Sequence, residues 1–525
     1  MKMDAIKSIF RAAFVLPLTA GNVVAGRSNG KLMHDGRISG LTILSSSVII
    51  VAEIMLTAVG IQQNNERALD VARPFLIVLN FCGIVSCLAV GCREKQRSRQ
   101  NINSSVANAT KSLRLKFLCL FCFGCVIYRI IKLAVHVKCK VYLRPNDSVG
   151  QAVLFDFASV MFHTVQLFFI YLFSKQEFRR SLFTFYGLIM LVVANFSNWI
   201  YHSAHGYDFL SNNSSSHSHS NISRCHHRKS ETSLEDYPDL ANPFLDPMRL
   251  EYSLLSLIFI SEMWPQMRSH VFRNLDDDDN DELYVNTELT PLLQSGDQQQ
   301  VTTMSRTLVS SARTKYSTIA LGALFISPRL VLEFMETVAL IKLDFVLLSI
   351  LVNIAEHALL IIVVVRCFHI MSNQCKPRSS DDSCSVGDIM LILSFLATVG
   401  YYAMHLMAHI FALVTSYRII LTIKGLIRIV AYYFQTVYIL QMKKYRIISV
   451  NGKTSIRFMC LFLSLVHLGF WFSDTFFVAQ FLYKNSLYNT VLYANIQKVR
   501  QFWFPFVIFF KFECFISLYG LYKSG

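Results

Sequence analysis

Charge is what this sequence has little of. Only 16% of its 525 residues are Asp, Glu, Lys or Arg, 53% are hydrophobic, and the mean hydropathy is +0.41. A soluble domain of this length needs no such excess, so that class is excluded. The chain has no Gly-rich phosphate loop, no HExxH zinc pattern and no nucleophile motif, and the expectation is that it is not an enzyme. Its thirteen cysteines have no staple spacing. Only Cys139 and Cys225 fall on the predicted outer side, which leaves one disulfide open. No aromatic-basic soluble module accompanies the net charge of +16, so nucleic acid is not an expected partner.

What is present is twelve apolar runs: 38–60, 72–92, 115–137, 152–173, 181–203, 249–268, 316–340, 345–370, 387–414, 417–440, 456–482 and 500–521. A helical crossing of a bilayer needs about 20 such residues. Lipid admits only helices or closed barrels, and barrel strands would alternate over about 10 residues, which these runs do not. The predicted fold class is an all-α polytopic membrane protein with twelve transmembrane helices. It divides into a cytosolic segment over 1–37, a six-helix domain over 38–268, a cytosolic acidic linker over 269–315 and a second six-helix domain over 316–525. An even number of crossings returns the chain to its starting side. The halves therefore run parallel, related by an axis along the membrane normal.

Loop charge sets the orientation. Arg93, Lys95, Arg97 and Arg99, then Lys175, Arg179 and Arg180, then Lys443, Lys444 and Arg446 fall on one side, which positive-inside makes cytosolic along with both termini. Lys138, Lys140 and Arg144 dissent. Residues 12–26 also read as a signal peptide behind Lys2, Lys7 and Arg11, an alternative that loop charge opposes. The outer loop 204–241 is rich in Ser, His and Asn, with glycosylation sequons at Asn212, Asn213 and Asn221 and another at Asn146. The linker carries the acidic run Asp276–Asp279 and then Glu288 ahead of Leu292 and Leu293, which reads as a clathrin-adaptor sorting signal or as a plain polar linker. Both loops are poor in apolar residues and are expected to be largely disordered.

One frame occurs twice. Pro243-Phe244, Arg249 and Glu251 return as Pro505-Phe506, Lys511 and Glu513. Upstream of the first stand Gln166, Asn195 and Trp199; upstream of the second stand Gln435, His467 and Trp471. Only four tryptophans occur in the chain and two fall in register here, which favours an internal duplication over chance. The halves differ at Asn195 against His467 and at Tyr252 against Cys514.

Polar side chains inside the apolar runs are expensive, at ~2.5 kcal/mol or more per charge, and usually line a wet path or pair with one another. They include Glu53, Asp156, His163, Gln166, Asn195, Glu251, Tyr252, Glu333, Glu356, His357, His405, His409, Gln435, His467, Asp474 and Glu513. Amides, imidazoles, phenols and carboxylates both give and accept hydrogen bonds, so together they can hand protons along. The plainer reading of any one of them is a buried ion pair or a packing contact; Glu53, Glu356 and Asp474 fit it best. His405 and His409 share a helix face, as do Lys424 and Arg428, which would repel other cations. His202, His205, His217, His219, His226 and His227 gather at the outer side, where they would sense acid and bind zinc as a modulator. A proton channel is the first reading of this set; a proton-coupled metal or solute transporter is the alternative, and a receptor or scaffold without flux the third.

The chain resembles the otopetrins, a family of proton channels. The resemblance rests on Pro-Phe followed by Glu251-Tyr252-Ser253 and Met263-Trp264, on Asn195 with Trp199 after Gln166, on Gln435 with Trp471, and on FGCV at 123–126, and spans roughly Gly36 to Tyr522. It implies two six-helix domains per subunit, a homodimer around a central space filled with lipid or sterol, and proton conduction at the plasma membrane. It also implies that Gln166, Asn195 and Tyr252 form a polar cluster opposite Gln435 and His467, on the path or its constriction. The family usually has Asn where this chain has His467, and often Arg and His where it has Lys511 and Glu513. His467 either packs between helices as a neutral hydrogen-bond donor or, if a carboxylate such as Glu513 lies near, charges as the path acidifies and limits current at low pH.

Overall fold

The computed structural model describes residues 66–95, 105–142, 147–174, 178, 182–211, 237–264, 298–337, 343–377, 386–411, 418–447, 450–478 and 491–524. Eleven long α-helices occupy them. They are α1 (Glu66–Lys95), α2 (Ser105–Tyr142), α3 (Asp147–Phe173), α4 (Leu182–Ser211), α5 (Tyr237–Glu262), α6 (Gln298–Thr337), α7 (Leu343–Gln374), α8 (Val386–Phe411), α9 (Arg418–Met442), α10 (Val450–Ser473) and α11 (Val491–Ser524). A π-helical turn over Asp474–Val478 continues α10.

Ten of these helices are long and apolar enough to cross a membrane, so the chain is a multi-pass helical membrane protein. The eleventh, α5, carries Arg249, Glu251 and Glu262, yet every residue from Arg249 to Ile260 is buried. A charged helix is stable there because its neighbours, not lipid, surround it. The predicted run 38–60 lies outside the described residues. The linker was expected to be disordered up to 315, but α6 already begins at Gln298. Its 298–313 part lacks long apolar runs but contains neither Gly nor Pro, so the helix extends upstream of the apolar span at modest cost once that span has nucleated it.

The helices pack in a repeating order. In the first set α1 lies on α3 and α4, α3 on α2, α2 on α5, and α5 on α4. In the second α7 lies on α9 and α10, α9 on α8, α8 on α11, and α11 on α10, with α6 also on α10. The second set meets the first chiefly where α11 packs on α2, α4 and α5. α11 has 78% of its apolar window buried, as expected of a Phe-rich helix that is hydrophobic all round.

Backbone polar groups in such helices must be satisfied locally. Pro328 inside α6 lacks the N–H that would bond the Leu324 carbonyl, and the Ser327 hydroxyl donates to that carbonyl at 3.0 Å instead. Close packing uses Gly469, where a Cβ would stand 2.3 Å from Cδ1 of Ile326, so α10 approaches α6 only because position 469 has no side chain. A short antiparallel pair, β1 (Cys375–Pro377) with β2 (Tyr445–Ile447), ties the ends of α7 and α9 together. Lys443 pairs with Asp388 at the same end.

Candidate functional site

The first set of helices holds a string of neutral polar groups. The Asn198 amide donates to Asn80 Oδ1 at 2.7 Å, and the Asn80 amide donates to Ser159 Oγ at 3.3 Å. His163 Nδ1 lies 2.5 Å from the Ser159 carbonyl. A carbonyl only accepts, so His163 is the Nδ1–H tautomer and Nε2 carries the lone pair. The Tyr252 hydroxyl donates to the His163 carbonyl at 2.9 Å, with Gln166 Oε1 3.3 Å away. The His163 and Tyr252 rings stand 4.9 Å apart. All six side chains are buried. Gln166 Nε2 makes no hydrogen bond among the described residues. The structure thus joins Gln166 and Tyr252. It does not bond Asn195 to them: that amide donates to the Leu191 carbonyl of its own helix at 2.7 Å.

One end of this string is charged. Arg129 pairs with Asp156 at 2.6 Å and donates to His202 Nε2 at 2.8 Å, with its guanidinium 4.6 Å from the Phe155 ring centre. A guanidinium only donates, so Nε2 of His202 is the acceptor and is already engaged. His202 is buried.

The second set is built on ion pairs instead. Arg329 on α6 reaches Glu333 at 2.9 Å, Asp474 at 2.9 Å and the Ser473 hydroxyl at 3.1 Å, with Glu356 at 4.0 Å. Lys511 pairs with the other oxygen of Asp474, and Ser473 bonds Glu333. The expected structural role of Asp474 matches these bonds. Glu333, expected on a proton path, is fastened here as well. Beside this cluster His357 donates from Nδ1 to the Asn353 carbonyl at 2.7 Å, which leaves Nε2 to accept from the Tyr432 hydroxyl at 3.2 Å. Arg428 donates to Asn353 Oδ1 at 3.1 Å from Nε and lies over Tyr402, so it is tied down rather than free to act as a cation filter.

Between the two sets the repeated frame is used unequally. The Trp471 indole donates to Glu251 Oε1 at 2.6 Å, and the other oxygen of Glu251 has no hydrogen-bond partner among the described residues. Glu513 accepts from Arg114 on α2 at 2.8 Å, and Arg114 also reaches Glu262 at 3.0 Å. The reading of Glu513 as a neighbour of His467 is therefore corrected: a guanidinium outbids a neutral ring for a buried carboxylate. His467 and Gln435 are buried, and neither makes a hydrogen bond among the described residues. Trp199 packs on Phe506 at 4.8 Å, and His405 packs on Tyr401 at 4.8 Å.

The side chains of His205 and His409 lie outside the described residues. So do His217, His219, His226, His227, Asn146, Asn212, Asn213, Asn221, Glu53 and Glu288–Leu293. Among the described residues no group of three His, Cys, Asp or Glu side chains can hold a metal ion. Sequence reasoning missed Arg114, Arg129 and Arg329, the cations around which the buried acids are organised. The i,i+4 spacing of Arg329 and Glu333 within an apolar run was a usable signal. For the Asn80–Asn198 bond, across more than a hundred residues, the sequence holds none.

No curated protein matches the chain. The family model described as Otopetrin matches residues 201–512, more than half of its length, from the end of α4 through Glu251, Gln435, His467 and Lys511. That match and the multi-pass helical architecture agree, and the chain belongs to the otopetrin family.

Proposed function

We propose that the chain is a proton-selective channel of the plasma membrane that carries protons into the cell down their gradient. The observation that carries this reading is the buried string Asn198–Asn80–Ser159–His163–Tyr252–Gln166. The Ser159–His163 and His163–Tyr252 links run through backbone carbonyls, which only accept, but the side chains of Asn80, Ser159, His163, Tyr252 and Gln166 each carry a donor and an acceptor beside them, and water between these side chains would complete a proton relay. A proton can therefore pass by hopping while larger ions, which need a wide wet pore, are refused. The ion-paired second set lacks that freedom along Arg329, so conduction is assigned to the first set, with Glu251 as the acid nearest its junction with the second. Membership of a family generally known for proton channels supports the same reading.

The repeated neighbour order supports two parallel six-helix halves with a further crossing over 38–60. Both termini are cytoplasmic, two subunits assemble around lipid or sterol, and the sequons of the outer loop are glycosylated. External acid opens the channel partly through His205, His217, His219, His226 and His227, because imidazole charges over pH ~7 to ~5 around a reference value near 6.5. Zinc competes for the same nitrogens.

Purified protein in potassium-loaded liposomes tests the function. With valinomycin clamping the voltage, an inward pH gradient is expected to acidify the lumen with no added metal or solute. Acidification that requires a co-transported solute would reassign the chain to a coupled transporter.

A further inference from the structure

One cluster lies apart from the proposed path, where the start of α10 meets the end of α11. The Tyr522 ring centre is 5.1 Å from the Arg457 guanidinium carbon and 5.7 Å from the Lys523 ammonium. Lys523 stands equally far from Tyr519, at 5.7 Å, and the two tyrosine rings are 6.0 Å apart. Tyr522 is buried while Lys523 is exposed, so a fixed ring carries two cations at the edge of the bundle.

These cations have no counter-ion among the described residues. Neither Arg457 nor Lys523 is in an ion pair among the described residues, unlike Arg114, Arg129, Arg329, Lys443 and Lys511. Nor can their own helices supply one. α10 has no acidic residue, and the sole acid of α11, Glu513, is taken by Arg114. The phenol hydroxyls of Tyr519 and Tyr522 likewise make no hydrogen bond among the described residues. Two cations without an ion pair among the described residues thus flank a pair of neighbouring tyrosine rings whose hydroxyls are unbonded there. This cluster lies near the first residues of the span Thr454–Val478 and the last of Trp503–Ser524.

We propose that Arg457, Lys523, Tyr519 and Tyr522 form a binding site for the phosphate of an anionic membrane lipid. The arginine fork matches two phosphate oxygens, the lysine neutralises as a point charge, and the phenols donate to the remaining oxygen. Basic pockets between transmembrane helices at a membrane face take such headgroups. A free phosphate offers the same oxygens, but the position of the cluster at the ends of two membrane spans favours the lipid. The site does not depend on whether the chain conducts protons.

The test uses the full chain in phosphatidylcholine nanodiscs, titrated with a fluorescent short-chain phosphatidylinositol bisphosphate. Saturable, salt-sensitive binding is expected. Removing both charges in the Arg457→Gln, Lys523→Gln variant is expected to weaken it on the order of 30-fold, at about fivefold per cation. The Arg457→Lys, Lys523→Arg exchange should retain most of it. Removing Lys376, an exposed cation elsewhere on the bundle, should leave it unchanged. If the double Gln variant fails to fold, Tyr519→Phe with Tyr522→Phe keeps the packing and should still weaken binding severalfold. Equal binding by wild type and the double Gln variant, or by wild type and the double Phe variant where the former does not fold, overturns the site. Equally tight binding of inositol trisphosphate or inorganic phosphate overturns the assignment to a lipid.

Discussion

Replacing Trp471 by Phe removes one hydrogen bond from Glu251 and almost nothing else. The indole nitrogen sits 2.6 Å from Oε1, and Oε2 has no partner among the described residues, so the variant leaves a buried carboxyl group without any partner there. Two estimates bear on the cost. Hydrogen bonds between membrane helices average about 0.6 kcal/mol and reach about 1.7. Bonds to charged groups in proteins contribute about 1.5–3 kcal/mol. The short distance, complete burial and sole-partner status place this bond at the overlap, about 1.5–1.7 kcal/mol. The aromatic contacts of Trp471 with Phe117 and Phe512, at 5.7 and 5.9 Å, are largely kept by Phe. A double-mutant cycle separates the bond from that packing. Trp471→Phe, Glu251→Leu and the double variant would be compared by reversible denaturation in mixed detergent micelles. A coupling energy near 1.5 kcal/mol is expected, and one below about 0.3 kcal/mol would refute the strut between the two helix sets.

Other consequences are as direct. Arg114→Met strands the buried Glu513 and is expected to cost about 3–5 kcal/mol, whereas Arg114→Met with Glu513→Met should recover most of it; the same denaturation assay reads both. Gly469→Ala drives a Cβ into Ile326 and should cost about 1–3 kcal/mol, partly rescued by Ile326→Ala, as read by the fraction of monodisperse protein on gel filtration. Tyr252→Phe removes the hydroxyl between His163 and Gln166; proton uptake by liposomes should fall about tenfold or more while the unfolding midpoint moves little, because one neutral bond contributes only about 1 kcal/mol.

Much of the architecture is legible in the sequence because lipid imposes it. Eleven of the twelve apolar runs coincide with described helices, and the twelfth falls where nothing is described. Even the charged run opening at Arg249 is a helix, since an acid and a base there do not outweigh the apolar residues that follow. The start of α6 was misread because apolar composition marks where a helix is buried, not where its hydrogen bonding begins. The site was legible residue by residue but not as a network. Gln166 and Tyr252 were grouped and are bonded; Asn195 was grouped with them and bonds its own backbone. Glu513 was considered as a neighbour of His467, yet which group claims a buried acid depends on helix rotation and depth, and its partner Arg114 lies 399 positions away. The duplicated frame carries the same residue types into unlike surroundings, so equivalence in sequence did not become equivalence in bonding.

The most direct measurement of the central claim is a reversal potential. Whole-cell currents carried by the full chain would be recorded with external sodium, potassium and chloride exchanged for large impermeant ions, across a series of external pH values. A reversal potential that follows the proton gradient at every pH, indifferent to the other ions, is the predicted result. A reversal potential that stays put as pH changes, or that moves with sodium or chloride, contradicts the account.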